Sequence, residues 1–114
     1  MSAERMRRVD EAMREVLSVA VSDLKDPRVG FVTVTDVRTS PDLRRARVYV
    51  SVLGDHDARH ATLAGLGSAH GVLQGRVARE LRMKRTPTLD FVYDDTAERA
   101  DRLGRLMHEL ETRR

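Results

Sequence analysis

Residues 31–53 read FVTVTDVRTSPDLRRARVYVSVL and predict two β-strands joined by a short turn. The first strand is rich in β-branched residues, and the second alternates apolar and polar residues, as a half-buried strand does. The apolar face of the second strand is Ala46, Val48, Val50 and Val52, and its polar face is Arg45, Arg47, Tyr49 and Ser51. Ser40, Pro41 and Asp42 are typical turn residues, so we expect an antiparallel hairpin.

A helical pattern precedes the hairpin. Residues 3–25 place their apolar side chains within an arc of roughly 100°, which predicts an amphipathic helix. Pro27 stops this helix, because the residue before a proline is driven out of the helical region, and Gly30 then lets the chain turn.

Two helices, a strand and a last helix follow the hairpin. An aspartate at position 55 or 57 caps a helix that runs to about Leu66, and a third helix continues to about Met83. Alternation from Leu89 to Tyr93 predicts a third strand, and the acidic residues after it cap the last helix. That helix has one apolar stripe: Ala100, Leu103, Leu106, Met107 and Leu110.

The element order α-β-β-α-α-β-α predicts an α+β domain in which helices cover one face of a three-stranded sheet. We expect residues 1–94 to form this domain, and residues 95–114 to form a carboxyl-terminal helix and short tail of the same domain. A second independent core within 114 residues would leave each half marginally stable, so a single domain is expected.

The composition narrows the class of protein. There is no cysteine, which excludes disulfides and thiolate metal sites and agrees with a reducing cytoplasm. No apolar stretch approaches the roughly 18 residues of a membrane span, so we expect a soluble protein without membrane contact. Aromatic residues are only 4% of the chain, which argues against extensive base stacking.

The positive charge is concentrated in two segments, although the net charge is only +3. Residues 28–53 contain five Lys and Arg against two Asp and Glu, and residues 70–87 contain five against one. The five in the second segment are Arg76, Arg79, Arg82, Lys84 and Arg85. A basic segment of this kind favours binding to the phosphates of a nucleic acid.

The third helix is the strongest candidate for that binding. Its arginines lie opposite the apolar stripe of Leu73, Val77 and Leu81, and His70 and Gly71 lie where the helix begins. The start of a helix attracts phosphate through its backbone N–H groups and dipole. The alternative is a solvated helix face, and spacing alone does not decide between the two.

The outer face of the hairpin offers Arg45 and Arg47 as further RNA-binding candidates, with a merely solvated face as the alternative. No motif of a nucleophile, phosphate loop or dinucleotide site occurs, so no catalytic residues, cofactor or small-molecule substrate are expected. His56 and His60 stand four residues apart, but no third ligand is recognisable and no metal site is expected.

The chain resembles the bacterial ribosome-binding factor A family along nearly its whole length. The most specific stretch is LKDPRVG at residues 24–30, followed by VTVT at residues 32–35. Further similarity lies in ARVYVS at residues 46–51 and its approach, and in Pro87, Leu89, Phe91 and Asp94. The order and spacing of these pieces carry the resemblance.

The resemblance implies a type II KH-like fold with an Ala-x-Gly kink in place of the usual Gly-x-x-Gly loop. Ala69-His70-Gly71 fits the kink, and the sequence contains no Gly-x-x-Gly. We expect the two helices to pack closely at Gly71, so that a bulky β-branched residue there would destabilise the bend. The resemblance also implies a cytoplasmic factor, expected as a monomer, that binds immature or free small ribosomal subunits. Such a factor contacts 16S rRNA and neighbouring ribosomal proteins, assists late 16S rRNA processing and matters most in the cold.

Two other interpretations stay open. The first is a general KH-like RNA-binding protein, which the missing Gly-x-x-Gly disfavours because that loop lets nucleotides approach the backbone. The second is a protein-interaction module, for example a dimer through the last helix, in which the basic face is incidental.

Overall fold

A computed structural model describes residues 2–113 and shows the expected order of elements. These are α1 (Ala3–Ser22), β1 (Val32–Thr39), β2 (Arg45–Val52), α2 (His56–Ser68), α3 (His70–Leu81), β3 (Thr88–Tyr93) and α4 (Thr96–Thr112). The predicted α+β class is confirmed. None of the helices described is long and apolar enough to cross a membrane.

The sheet is built around β2, which pairs antiparallel with β1 and parallel with β3. The predicted hairpin is confirmed: the Ser40 N–H donates to the Arg45 carbonyl over 2.8 Å at the closed end. The pairing of β1 with β2 shifts by one residue between Val34 and Asp36, so Thr35 forms a bulge. The bulge was not predicted from the sequence.

Helices α1, α2 and α3 pack against one face of the sheet, as predicted. Side chains from α1, α2, α3 and all three strands form one buried core: Met13, Leu17, Ala20, Val21, Val34, Val37, Ala46, Val48, Val50, Val52, Leu66, Leu73, Val77 and Leu89. The opposite face, here called the open face, carries Thr33, Asp36, Arg38, Arg45, Arg47, Tyr49, Ser51 and Asp90. The apolar core face and the polar open face of the sheet therefore point in opposite directions.

The segment after α1 leaves the helix earlier than predicted, after Ser22 rather than near residue 25. It then packs onto α2: the buried Thr62 hydroxyl accepts from the Gly30 N–H over 3.3 Å. A Cβ atom on Gly65 would lie only 2.7 Å from a methyl group of Val29. The close approach of this loop to α2 requires glycine there, which explains how the LKDPRVG segment is held.

A single residue, Ala69, separates helix α2 from helix α3. Its N–H donates to the Gly65 carbonyl over 3.0 Å, and its own carbonyl accepts from the Leu73 N–H over 3.0 Å. Ala69 is half-buried against the core, so a small side chain suits the break. The surroundings of Gly71 are more open than expected. A Cβ atom on this residue would meet no other atom of the described residues within 4 Å outside its own helix. The close packing expected at Gly71 is therefore absent, because the residue lies on the exposed side of α3.

Contacts at its first turn hold α4. Asp94 accepts from the Thr96 hydroxyl over 2.5 Å, from the Thr35 hydroxyl over 2.7 Å and from the Thr96 N–H over 3.0 Å. These hydrogen bonds lower the pKa of Asp94, and that from the Thr96 hydroxyl contributes most. Tyr93 donates to Glu98, and the Arg59 guanidinium lies 4.8 Å from the centre of the Tyr93 ring. No α4 side chain described is buried, and its apolar stripe is exposed.

Candidate nucleic-acid interface

The orientation of α3 is fixed by its buried stripe. Leu73 and Val77 are fully buried against the core, and Leu81 packs partly against it. Arg79 lies on the opposite side of this helix and is exposed, and Arg82, which follows the last helical residue, is exposed too. The spacing of the apolar residues therefore predicted the direction of Arg79 correctly.

Arg76 departs from the expectation that it faces solvent. Its guanidinium donates to Asp23 at the end of α1 over 2.9 Å and to Glu80 over 3.2 Å, and only 27% of its side chain is exposed. Both hydrogen bonds raise the pKa of Arg76, and the one to Asp23 contributes most. The reason is position: at 100° per residue Arg76 lies at the edge of the buried stripe, where it reaches the neighbouring helix.

Lys84 and Arg85 lie in the segment that leads from α3 to β3, and both are exposed. Gln74 anchors this segment, because its side-chain amide donates to the carbonyls of Thr86 and Pro87 over 3.1 and 2.9 Å. Gln74 was not among the predicted functional residues. Its half-buried position on α3 gives no signal by itself, since its two partners are 12 and 13 residues away.

Four exposed cations thus lie in the last turn of α3 and in the segment that follows it. We call this group the α3 basic surface: Arg79, Arg82, Lys84 and Arg85. Within residues 2–113 none of the four forms an ion pair with a carboxylate. Their charge is therefore available to an external anion, and exposed charges of this kind contribute little to folding.

Arg82 has a left-handed backbone conformation, with φ 51° and ψ 42°. A side chain in this region strains the backbone, and glycine is the residue usually found where a helix ends in this way. An arginine at this position adds a charge to the α3 basic surface at some cost in stability.

His70 and Gly71 lie at the other end of α3 and are exposed. Arg82 lies twelve positions after His70, which corresponds to roughly 18 Å along the helix axis. The structure therefore does not bring the start of α3 together with the α3 basic surface, and a single phosphate cannot contact both.

Arg45 and Arg47 lie elsewhere again, on the open face of the sheet. Arg45 pairs with Asp90 of β3 over 2.8 Å, and both side chains are largely exposed. Arg38, which was not among the predicted site residues, is the cross-strand partner of Arg47 on the same face. Apart from Arg76, which binds Asp23 and Glu80, the predicted RNA-binding residues thus fall into three separate groups.

Comparisons with known proteins agree with this architecture. The profile of the family "Ribosome-binding factor A" matches residues 5–107. A Ribosome-binding factor A from Anaeromyxobacter sp. (strain K) is 51% identical over 110 residues, which cover 95% of this chain and 80% of the relative.

Solved structures of the same family are also similar. The crystal structure of ribosome-binding factor A from Thermus thermophilus aligns with a TM-score of 0.71 and 30% identity, covering 77% of this chain and 93% of that one. A Thermus thermophilus RbfA model fitted into the cryo-electron microscopy map of a 30S–RbfA complex aligns with a TM-score of 0.64 and 30% identity, covering 75% and 90%. The predicted KH-like fold is confirmed, and the chain belongs to the ribosome-binding factor A family.

Proposed function

We propose that this chain binds immature or free small ribosomal subunits and assists late 16S rRNA processing and subunit assembly without catalysing a reaction. The observation that carries the proposal is the α3 basic surface, four exposed cations without carboxylate partners in residues 2–113. The Thermus thermophilus relative fitted into a map of a 30S–RbfA complex supports the choice of partner.

The chemistry of this surface suits phosphate recognition. Each Arg or Lys that neutralises a phosphate releases condensed counterions, which gives affinity without reading the base sequence. The half-buried Ala69 break brings α2 and α3 together without a Gly-x-x-Gly loop, so the chain lacks the feature that lets splayed nucleotides approach closely. Selectivity then comes from the folded shape of 16S rRNA and from the ribosomal proteins beside it.

The proposed setting follows from this role. The chain acts as a monomer in the cytoplasm, uses no cofactor, metal or small-molecule substrate, and contributes to growth in the cold, when misfolded rRNA is slow to rearrange. His70, Gly71, Arg45 and Arg47 are proposed as additional RNA contacts, alongside the α3 basic surface.

A second candidate function rests on α4. More than half of each side chain of Leu103, Leu106, Met107 and Leu110 is exposed. An exposed apolar stripe of this size favours a protein contact, so a protein-interaction module is the competing function.

Binding of the purified full chain to small subunits, large subunits and an unstructured RNA separates these functions. The proposal predicts preferential binding to small subunits, and stronger co-sedimentation with precursor than with mature small subunits. Equal affinity for all three ligands would indicate a general RNA-binding protein. Binding that does not depend on salt and that is lost in a Leu103→Gln/Leu110→Gln variant would indicate the protein-interaction module.

A further inference from the structure

The open face of the sheet places two arginines side by side. Arg38 of β1 and Arg47 of β2 are paired across the strands, and Asp90 of β3 lies directly opposite Arg47 on the other side. Like charges at paired positions on neighbouring strands destabilise a sheet. An arrangement that is unfavourable for folding points to a ligand of opposite charge.

The carboxylates nearby do not neutralise this pair fully. Asp90 is engaged by Arg45 over 2.8 Å, and Arg38 is paired with Asp36 over 3.1 Å. Arg47 itself forms no ion pair within residues 2–113 and lies next to the Tyr49 phenol instead. Among the described residues the face therefore has one arginine, Arg47, without a direct ion pair, whereas Arg38 and Arg45 are each oriented by a carboxylate.

The three arginines surround a depression. It has a volume of about 300 Å³ and is lined by Arg38, Arg45, Arg47, Ser40, Tyr49 and Asp90 among others. Guanidinium groups bind phosphate oxygens in a bidentate fashion, and the phenol of Tyr49 adds a hydrogen-bonding group. The Ser40 hydroxyl already donates to Asp42 over 2.6 Å. Asp36 and Asp94 lie beside Tyr49 at the edge of this area and would repel a longer run of phosphates.

From this geometry we infer that the open-face depression binds one or two phosphates of a second RNA segment, so that the domain bridges two segments of rRNA. The inference rests on the proposed function and adds a second contact surface to it. The α3 basic surface belongs to the helical layer, whereas the depression lies on the side of the sheet away from that layer. A helix with its side chains is roughly 10–12 Å thick, so one phosphate chain cannot follow both surfaces without passing around the edge of the domain.

The test compares the affinity of full-length variants for small subunits between 50 and 200 mM salt. Arg38→Gln/Arg47→Gln should lower the slope of log affinity against log salt by roughly 1.4–1.8 units, since each phosphate contributes about 0.7–0.9. Arg79→Gln/Arg82→Gln should lower it by a similar amount. Because the two surfaces are distant, the quadruple variant should lose the sum of both.

Two controls keep the result interpretable. Arg102→Gln/Arg105→Gln removes the same charge from α4 and should leave the slope nearly unchanged. The melting temperature of Arg38→Gln/Arg47→Gln should stay level or rise, because the like-charge pair is removed. The single variant Arg47→Gln, which breaks no ion pair in the described residues, repeats the test if the double variant is unstable.

The partner at the depression is identified by crosslinking. The chain has no cysteine, so Thr88→Cys places a single photo-crosslinker beside Arg45, its paired residue on the open face. We expect a crosslink to 16S rRNA at a site distant from the one reached from α3. A crosslink only to a ribosomal protein, or an unchanged slope in Arg38→Gln/Arg47→Gln, would overturn the inference while leaving the proposed function intact. Failure of the unmodified chain to prefer small subunits would overturn both.

Discussion

Arg76 of α3 holds Asp23 at the end of α1, with Nη1 donating to Oδ2 over 2.9 Å across 53 positions of sequence. The same guanidinium also binds Glu80 in the next turn of α3. Arg76 thus joins two helices of the core layer, whereas Arg79, one turn further along the chain, is exposed and forms no ion pair within residues 2–113. Two arginines of one basic helix therefore have different tasks.

The two arginines should separate stability from binding. Arg76→Gln removes the bridge between α1 and α3 and should lower the melting temperature by roughly 2–5 °C. Arg79→Gln should change the melting temperature by no more than about 1 °C, because exposed side chains without partners contribute little. Thermal unfolding of both variants under identical conditions checks this. A larger loss for Arg79→Gln than for Arg76→Gln would show that the ion pair with Asp23 does not stabilise the fold.

Gly71 should tolerate a side chain. The space around it is open and its backbone is helical, so Gly71→Ala should raise the free energy of unfolding by up to about 1 kcal/mol through lower chain entropy. Gly71→Val should lie within about 0.5 kcal/mol of the unmodified protein. Gly65→Ala is the matched control and should destabilise, because its Cβ would meet Val29. Urea unfolding of the three variants measures these differences, and strong destabilisation by Gly71→Ala would contradict the structure.

Replacement of Arg82 should raise the stability of the protein and weaken its binding to small subunits. Arg82→Gly relieves the left-handed strain at the end of α3 and should stabilise the protein by roughly 0.5–1.5 kcal/mol. The same change removes a charge from the α3 basic surface and should weaken binding to small subunits. Chemical unfolding and subunit binding measured on one preparation test both effects. A variant that binds as well as the unmodified chain would exclude Arg82 from the interface.

The Asp26–Arg28 pair in the loop after α1 should make the stability of the protein depend on pH under acid conditions. Asp26 accepts from the Arg28 guanidinium over 2.6 Å and from the Arg28 N–H over 2.9 Å. These hydrogen bonds lower the pKa of Asp26 from 3.8 to about 2, and the one from the guanidinium contributes most. A lowered pKa stabilises the folded state fully above pH 3.8, and this contribution is lost as the pH falls to about 2. The stability difference between the unmodified protein and Asp26→Asn should therefore be constant near neutrality and shrink across this window. A difference that is independent of pH would contradict the Asp26–Arg28 pair.

Local patterns predicted the elements, but not the contacts between them. The alternation in residues 45–52 predicted β2, and the spacing of Leu73 and Val77 predicted which side of α3 is buried. The partner of Arg76 could not be predicted, because Asp23 comes close only after α1 and α3 have packed. The cross-strand pair of Arg38 and Arg47 likewise depends on the register of the hairpin, which a bulge at Thr35 shifts.

The central claim is that the α3 basic surface provides much of the affinity for the small ribosomal subunit. Its most direct test is the affinity of the full chain for small subunits between 50 and 200 mM salt, for the unmodified protein and for Arg79→Gln/Arg82→Gln/Lys84→Gln/Arg85→Gln. The unmodified protein should lose affinity by at least about 50-fold over this range. The variant should melt at nearly the same temperature and show a salt slope lower by roughly 2.8–3.6 units, since each of the four contacts contributes about 0.7–0.9. If the variant instead binds small subunits with the affinity and slope of the unmodified chain, the α3 basic surface is not the interface.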